Sequence, residues 1–228
     1  MLKLICFLLF IIYIYIIFTY SSNIFFNSTK NLKIAYLLII LNIILGAITL
    51  IFEISIFEAV FMIIYFLLIS MGFRLSYNDK WLKNIFVAFC FVVNFFAIRF
   101  IYISCYSILF KVALFEIMQD YRILTILTIL TLLTNIIYIY IFKVFLKPEY
   151  INIIIADESS LKFSNAILGS IYVFLVINTY SFYVEKEFWG IYILNIKISI
   201  CAIIGFFIVF LYSYLFSKLK LYVVKAEN

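Results

Sequence analysis

Apolar runs close to 20 residues long recur along this chain, over 4–20, 34–52, 54–70, 85–105, 123–142, 164–183 and 198–217. About 20 apolar residues is the length that crosses the hydrocarbon core of a bilayer as a helix, at about 1.5 Å of rise per residue. In that core no water serves the backbone N–H and C=O groups, so a chain that crosses repeatedly crosses as helices that satisfy their own backbone. Composition points the same way. The chain is 68% hydrophobic and 12% charged, with a mean hydropathy of +1.25, whereas a soluble domain carries about 25% charged residues. Too few polar side chains remain to cover a water-facing surface. The expected fold class is all-α: a polytopic integral membrane protein of about seven transmembrane helices in one bundle. It is read as one domain over 1–217, followed by a juxtamembrane tail over 218–228.

The first run is too long for a secretory h-region, is rich in Tyr and Phe and has no small-x-small cleavage site, so it is read as a retained span. Runs two and three form one stretch, 34–73, whose only charges are Glu53 and Glu58. A single helix of that length would measure about 60 Å, twice the hydrocarbon core. A hairpin whose acidic tip reaches an interface is expected instead.

The basic residues give the orientation, because Lys and Arg accumulate in cytoplasmic loops. With the C-terminus inside, the cytoplasmic segments hold eleven of them: Lys30, Lys33, Arg74, Lys80, Lys83, Lys143, Lys147, Lys162, Lys218, Lys220 and Lys225. The outer segments hold five: Lys3, Lys111, Arg122, Lys186 and Lys197. The predicted location is therefore a cell membrane, crossed several times, with the N-terminus outside and the C-terminus in the cytoplasm. The net charge of +6 belongs to this flanking pattern and not to a polar face, so nucleic acid is not an expected partner; membrane lipid is.

Between the fourth and fifth runs, 106–122 reads as a short interfacial helix or an extension of the fourth. The segment 147–162 holds the single proline, Pro148, and the polar run from Asp157 to Ser160, and reads as the truest loop in the chain. The fifth run repeats Ile-Leu-Thr, placing Thr125, Thr128, Thr131 and Thr134 three apart. Each step turns about 300°, so the row drifts by about 60° per step and forms no single polar face. Helix packing explains it better than an ion path.

Arg99 is the sharpest anomaly, since an arginine within a span costs on the order of 3 kcal/mol and tends to be functional. Two readings fit it. At about 21 Å from Ile85 along a helix, its long side chain can snorkel to the outer interface. Alternatively it belongs to an outward-facing ligand site, with Glu53 and Glu58 on the neighbouring hairpin tip as companions. Asn94 does not share its face and is read as a packing hydrogen bond to a neighbouring helix, as are Asn42, Asn135 and Asn178. Cys6, Cys90, Cys105 and Cys201 lie in apolar stretches without CxxC pairing and read as buried hydrophobes. The chain has no histidine, no phosphate-binding glycine loop and no catalytic triad, so neither metal, cofactor nor enzymatic activity is expected. Secondary transporters place an acidic residue at mid-membrane depth and break helices at the substrate. No run shows either feature.

The last run passes into Lys218 and the tail without a helix breaker, with Leu221 and Val224 three apart as in an opening amphipathic helix. Two readings fit here too: a basic cap fixing orientation, or the start of a signalling helix with Leu221 and Val224 as output residues.

The acidic tip at Glu53 and Glu58, the basic inner loop 73–83 with Arg74, Lys80 and Lys83, the Lys147-Pro148 loop and the charged exit from Lys218 together resemble the membrane sensor region of GHKL-type sensor histidine kinases. The layout is most similar to accessory gene regulator-like peptide receptors. The resemblance spans most of the chain but rests on spacing and hydropathy, with no family-specific motif. It implies a membrane-embedded signal-sensing module without the kinase domain, truncated or acting with a partner. It also implies a peptide or small-molecule ligand from outside, and a homodimer or a kinase as the partner. A permease or exporter membrane subunit is the alternative function, and a purely structural membrane protein a third.

Overall fold

The structure, a computed structural model, describes residues 2–25, 58–77, 79–113, 120–145, 148–179 and 189–227, with short pieces at 36–37, 40–41, 44 and 116–117. Its elements are α1 (Leu2–Ile24), α2 (Glu58–Tyr77), α3 (Trp81–Phe110), α4 (Tyr121–Phe145), α5 (Pro148–Ala156), α6 (Glu158–Asn178) and α7 (Trp189–Glu227). No strand occurs among the described residues. All of these except α5 are long and apolar enough to cross a membrane, six in number. The chain is thus an all-helical, multi-pass membrane bundle. The run at 34–52 lies outside the described residues, apart from five helical positions within it.

Helix α3 is the post around which the others stand. Every residue over 86–100 is buried, and α3 packs against α2, α4, α6 and α7. A helix apolar on all sides belongs in the middle of a bundle. In the other five spans fewer than half of the residues are buried, and the rest of their surface is available to lipid. Aromatic rings fill the contacts to α3. Tyr13 of α1 stacks on Phe95 at 5.4 Å, Phe66 of α2 on Phe89 at 4.6 Å, and Phe86 lies 6.1 Å from Phe210 of α7.

Ties at one end fix the running directions. The Tyr77 hydroxyl, closing α2, donates to the Phe18 carbonyl near the end of α1 (2.9 Å), so α1 and α2 run in parallel. The turn into α3 is knit by Asp79: its carbonyl accepts from Arg74 and from Asn84 Nδ2, and its carboxylate pairs with Lys83. Asn165, early in α6, donates to the Leu82 carbonyl at the start of α3 (2.7 Å), so α3 and α6 also run in parallel. Lys220, late in α7, reaches Asp157 at the start of α6. The start of α1 and the end of α7 consequently lie at opposite ends of the bundle.

Several boundaries differ from expectation. The sixth span begins six residues earlier than read, at Glu158, and the supposed loop 147–162 is largely helix. Pro148 stands at the first position of α5, where its missing N–H would be unbonded anyway. Ile151 and Ile154 bury one face of α5, so tertiary contact holds a helix where proline and polar residues suggest a loop. Helix α3 extends the fourth run through Phe110 and stops at Lys111, which takes a left-handed φ of 56°. Of the cysteines, Cys6 and Cys90 are buried as expected, but Cys105 is only partly buried and Cys201 is exposed on α7. An apolar stretch in a membrane has two apolar destinations, core and lipid, and hydropathy does not separate them.

Candidate functional site

Arg99 lies 18 residues beyond Trp81, so it stands about 27 Å up α3 from the turn that joins α2 and α3. It is 8% exposed, so it is buried in the bundle. Its Nη1 donates to Thr128 Oγ1 of α4 at 2.9 Å, while the Thr128 hydroxyl donates to the Leu124 carbonyl at 2.8 Å. The back-bond spends the hydroxyl proton on its own helix and leaves a lone pair for the guanidinium. The Tyr102 hydroxyl, one turn further along α3, meets Thr134 Oγ1 at 2.6 Å. A permanent cation with planar donors thus joins α3 to α4 inside the bundle; guanidinium groups suit carboxylates and other anions.

The threonine row, read as packing, proves to have two roles. Thr125 and Thr131 are buried, and Thr131 back-bonds to the Leu127 carbonyl while its own carbonyl accepts from Asn135 Nδ2. Thr128 and Thr134 face the polar side chains of α3. Asn94 donates to the Cys90 carbonyl of its own helix (3.2 Å).

Glu53 lies outside the described residues. Glu58 opens α2, 19 residues before Tyr77, and α2 returns alongside α3. Its backbone therefore stands about 28 Å above the same turn, level with Arg99; its side chain lies outside the described residues.

At the other end, α7 runs unbroken for 39 residues, about 57 Å of helix. Ser160 and Ser164 on α6 face Ser213 and Ser217 on α7, four apart on each helix. Ser164 and Ser213 share a hydrogen bond of 2.5 Å, and Ser217 donates to Ser160 at 2.7 Å. Small residues at this spacing let membrane helices approach closely. Lys220 Nζ closes the seam on Asp157 Oδ1 at 2.8 Å. Burial alone would raise the Asp157 carboxyl, but hydrogen bonds from Lys220, Ser159 and Ser160 outweigh it and hold the group well below the usual carboxylate range. Leu219 just before the clasp, and Leu221, Tyr222 and Val223 past it, are exposed. Val224 belongs to α7, with its side chain outside the described residues.

Sequence reasoning passed over the serine seam. Its signal was present as two Ser-x-x-x-Ser pairs, at 160 and 164 and at 213 and 217. No protein-family model, curated protein or solved structure matches this chain.

Proposed function

We propose that the chain is a membrane-embedded signal-sensing module. In this reading it crosses the membrane seven times with its N-terminus outside. Arg99 belongs to a site in the outer half that takes an anionic group of a peptide or small molecule, and α7 carries the response inward. The count of seven suits the parallel running directions of α1 and α2. The observation that carries the reading is α7 itself. It is one continuous rod packed on α3, the helix that bears Arg99, and clasped at the far end by Asp157 and the serine seam. A ligand moves such a rod only through different affinities for two arrangements. The reading retains the likeness to histidine-kinase sensor regions, with a kinase or a second copy as the partner beyond Leu221 and Val224.

The test is a cysteine pair, Ser164→Cys with Ser213→Cys, in the full chain in native membranes. Disulfide formation across the seam is timed with and without the peptide fraction of spent culture medium. The expected result is a several-fold change in rate, abolished by Arg99→Met. Rates indifferent to every fraction, or reporter fusions locating both termini on one side, overturn the reading.

A further inference from the structure

Lys83, Lys162, Lys218 and Lys220 all stand at the end of the bundle where α3 and α6 begin and α7 leaves. Lys83, Lys162 and Lys220 each pair with a carboxylate, on Asp79, Glu158 and Asp157 respectively. Lys218 pairs with none among the described residues, and aromatic rings stand beside it instead. Its Nζ lies 5.6 Å from the ring centroid of Tyr214 and 6.0 Å from that of Tyr222, one turn before it and one turn after it on α7. Tyr150 of α5 packs on Tyr214 with 4.5 Å between centroids, so α5 braces the cluster. Ring faces attract an ammonium through their quadrupole but carry no formal charge. They hold Lys218 in position without neutralising it. The same face of α7 is apolar on the side of the membrane. At about 100° of turn per residue, Ile204, Leu211 and Leu215 fall within about 60° of Lys218 around the helix. All three are exposed, as is Tyr222. Leu211 lies about 10 Å and Ile204 about 21 Å along the axis from Lys218, against about 15 Å for one leaflet of the hydrocarbon core.

We propose that Lys218, framed by Tyr214 and Tyr222, binds the phosphate headgroup of an anionic phospholipid whose acyl chain lies along Ile204, Leu211 and Leu215 of α7. Charge and position select the occupant together. A lysine is a compact point charge with three donors, and juxtamembrane basic residues attract anionic lipid. Tyrosine rings favour the headgroup level, where one edge is wet and the other apolar. A zwitterionic lipid brings its own cation to its phosphate and gains less from Lys218. A soluble anion meets the charge but leaves the exposed apolar stripe uncovered. The site lies near the opposite end of the bundle from Arg99 and stands whether or not Arg99 takes a ligand.

The full chain in detergent micelles, titrated with palmitoyl-oleoyl phosphatidylglycerol or with the matching phosphatidylcholine, tests the site by native mass spectrometry of the first lipid retained. Phosphatidylglycerol is expected to bind several-fold more tightly. Lys218→Gln should weaken it roughly fivefold, the contribution of one lysine near a lipid surface, and leave phosphatidylcholine unchanged, while Lys218→Arg keeps the affinity. Lys162→Gln changes the net charge by the same amount, but at a lysine already paired with Glu158, and should weaken binding far less. Equal losses in the two glutamine variants overturn the proposal, because any surface charge would then serve. Inorganic phosphate in large excess should leave the lipid bound; displacement would assign the site to a soluble anion and overturn the choice of lipid. Equal affinities of the unaltered chain for the two lipids also overturn it, and that comparison decides where a variant does not fold.

Discussion

Replacing Thr128 by valine keeps the β-branched shape and removes the acceptor that Arg99 uses on α4. A hydrogen bond to a charged group contributes about 1.5–3 kcal/mol in water-soluble proteins, while interhelical bonds in membranes average about 0.6 and reach about 1.7 kcal/mol. Arg99 is 8% exposed, so water replaces the lost acceptor poorly, and a loss of about 1–2 kcal/mol follows. Arg99→Met has the opposite expectation. It removes a guanidinium whose presence in a span costs on the order of 3 kcal/mol and fills the space with a flexible apolar chain. Stability should then stay level or rise, and Thr128→Val should add almost nothing on the Arg99→Met background. Unfolding in mixed micelles, followed by the fluorescence of Trp81 and Trp189, reads all four corners of this cycle. An inert Thr128→Val would show that Arg99 does not lean on α4. An Arg99→Met variant at least as damaged as Thr128→Val would make the arginine a structural element and remove the physical reason for placing a ligand there.

Three further outcomes are expected. The Asp157 carboxyl is more acidic folded than unfolded, so protonation favours the unfolded chain. The clasp should give its full contribution above about pH 4 and lose it as the pH falls further, with Lys220→Met flattening that part of a stability–pH curve. Since Lys220 is about half exposed, the contribution is small, about 0.2–1 kcal/mol. Ser164→Ala should cost about 0.6 kcal/mol, the average interhelical hydrogen bond in a membrane, whereas Ser164→Leu should cost about 1–3 kcal/mol by forcing α6 and α7 apart; equal effects in thermal unfolding would mean that the helices do not touch there. In mild detergent, Cys201 should react with a maleimide before Cys6 and Cys90, as mass spectrometry of the labelled chain would record.

The sequence by itself determined that the chain lives in a membrane as helices, because runs near 20 apolar residues have no other stable solution. The placement of lysine and arginine led to the expectation of ends on opposite sides, and Arg99 was marked because a charge in a span stands out against any apolar background. The sequence also foresaw the unbroken passage from the last span into the tail, where no glycine or proline interrupts the run past Lys218. Tertiary structure alone decided which helix stands in the centre. The central helix is not the most apolar of the spans, and in lipid the hydrophobic effect does not tell a core face from an outer one. For the same reason the sequence separated neither Cys90 from Cys201 nor the helical turns of α5 from a loop. Arg99 meets Thr128, and Lys220 meets Asp157, across separations in sequence that only packing closes. Those pairings rest on directional hydrogen bonds between helices, a property of two surfaces in register that no single run of residues carries.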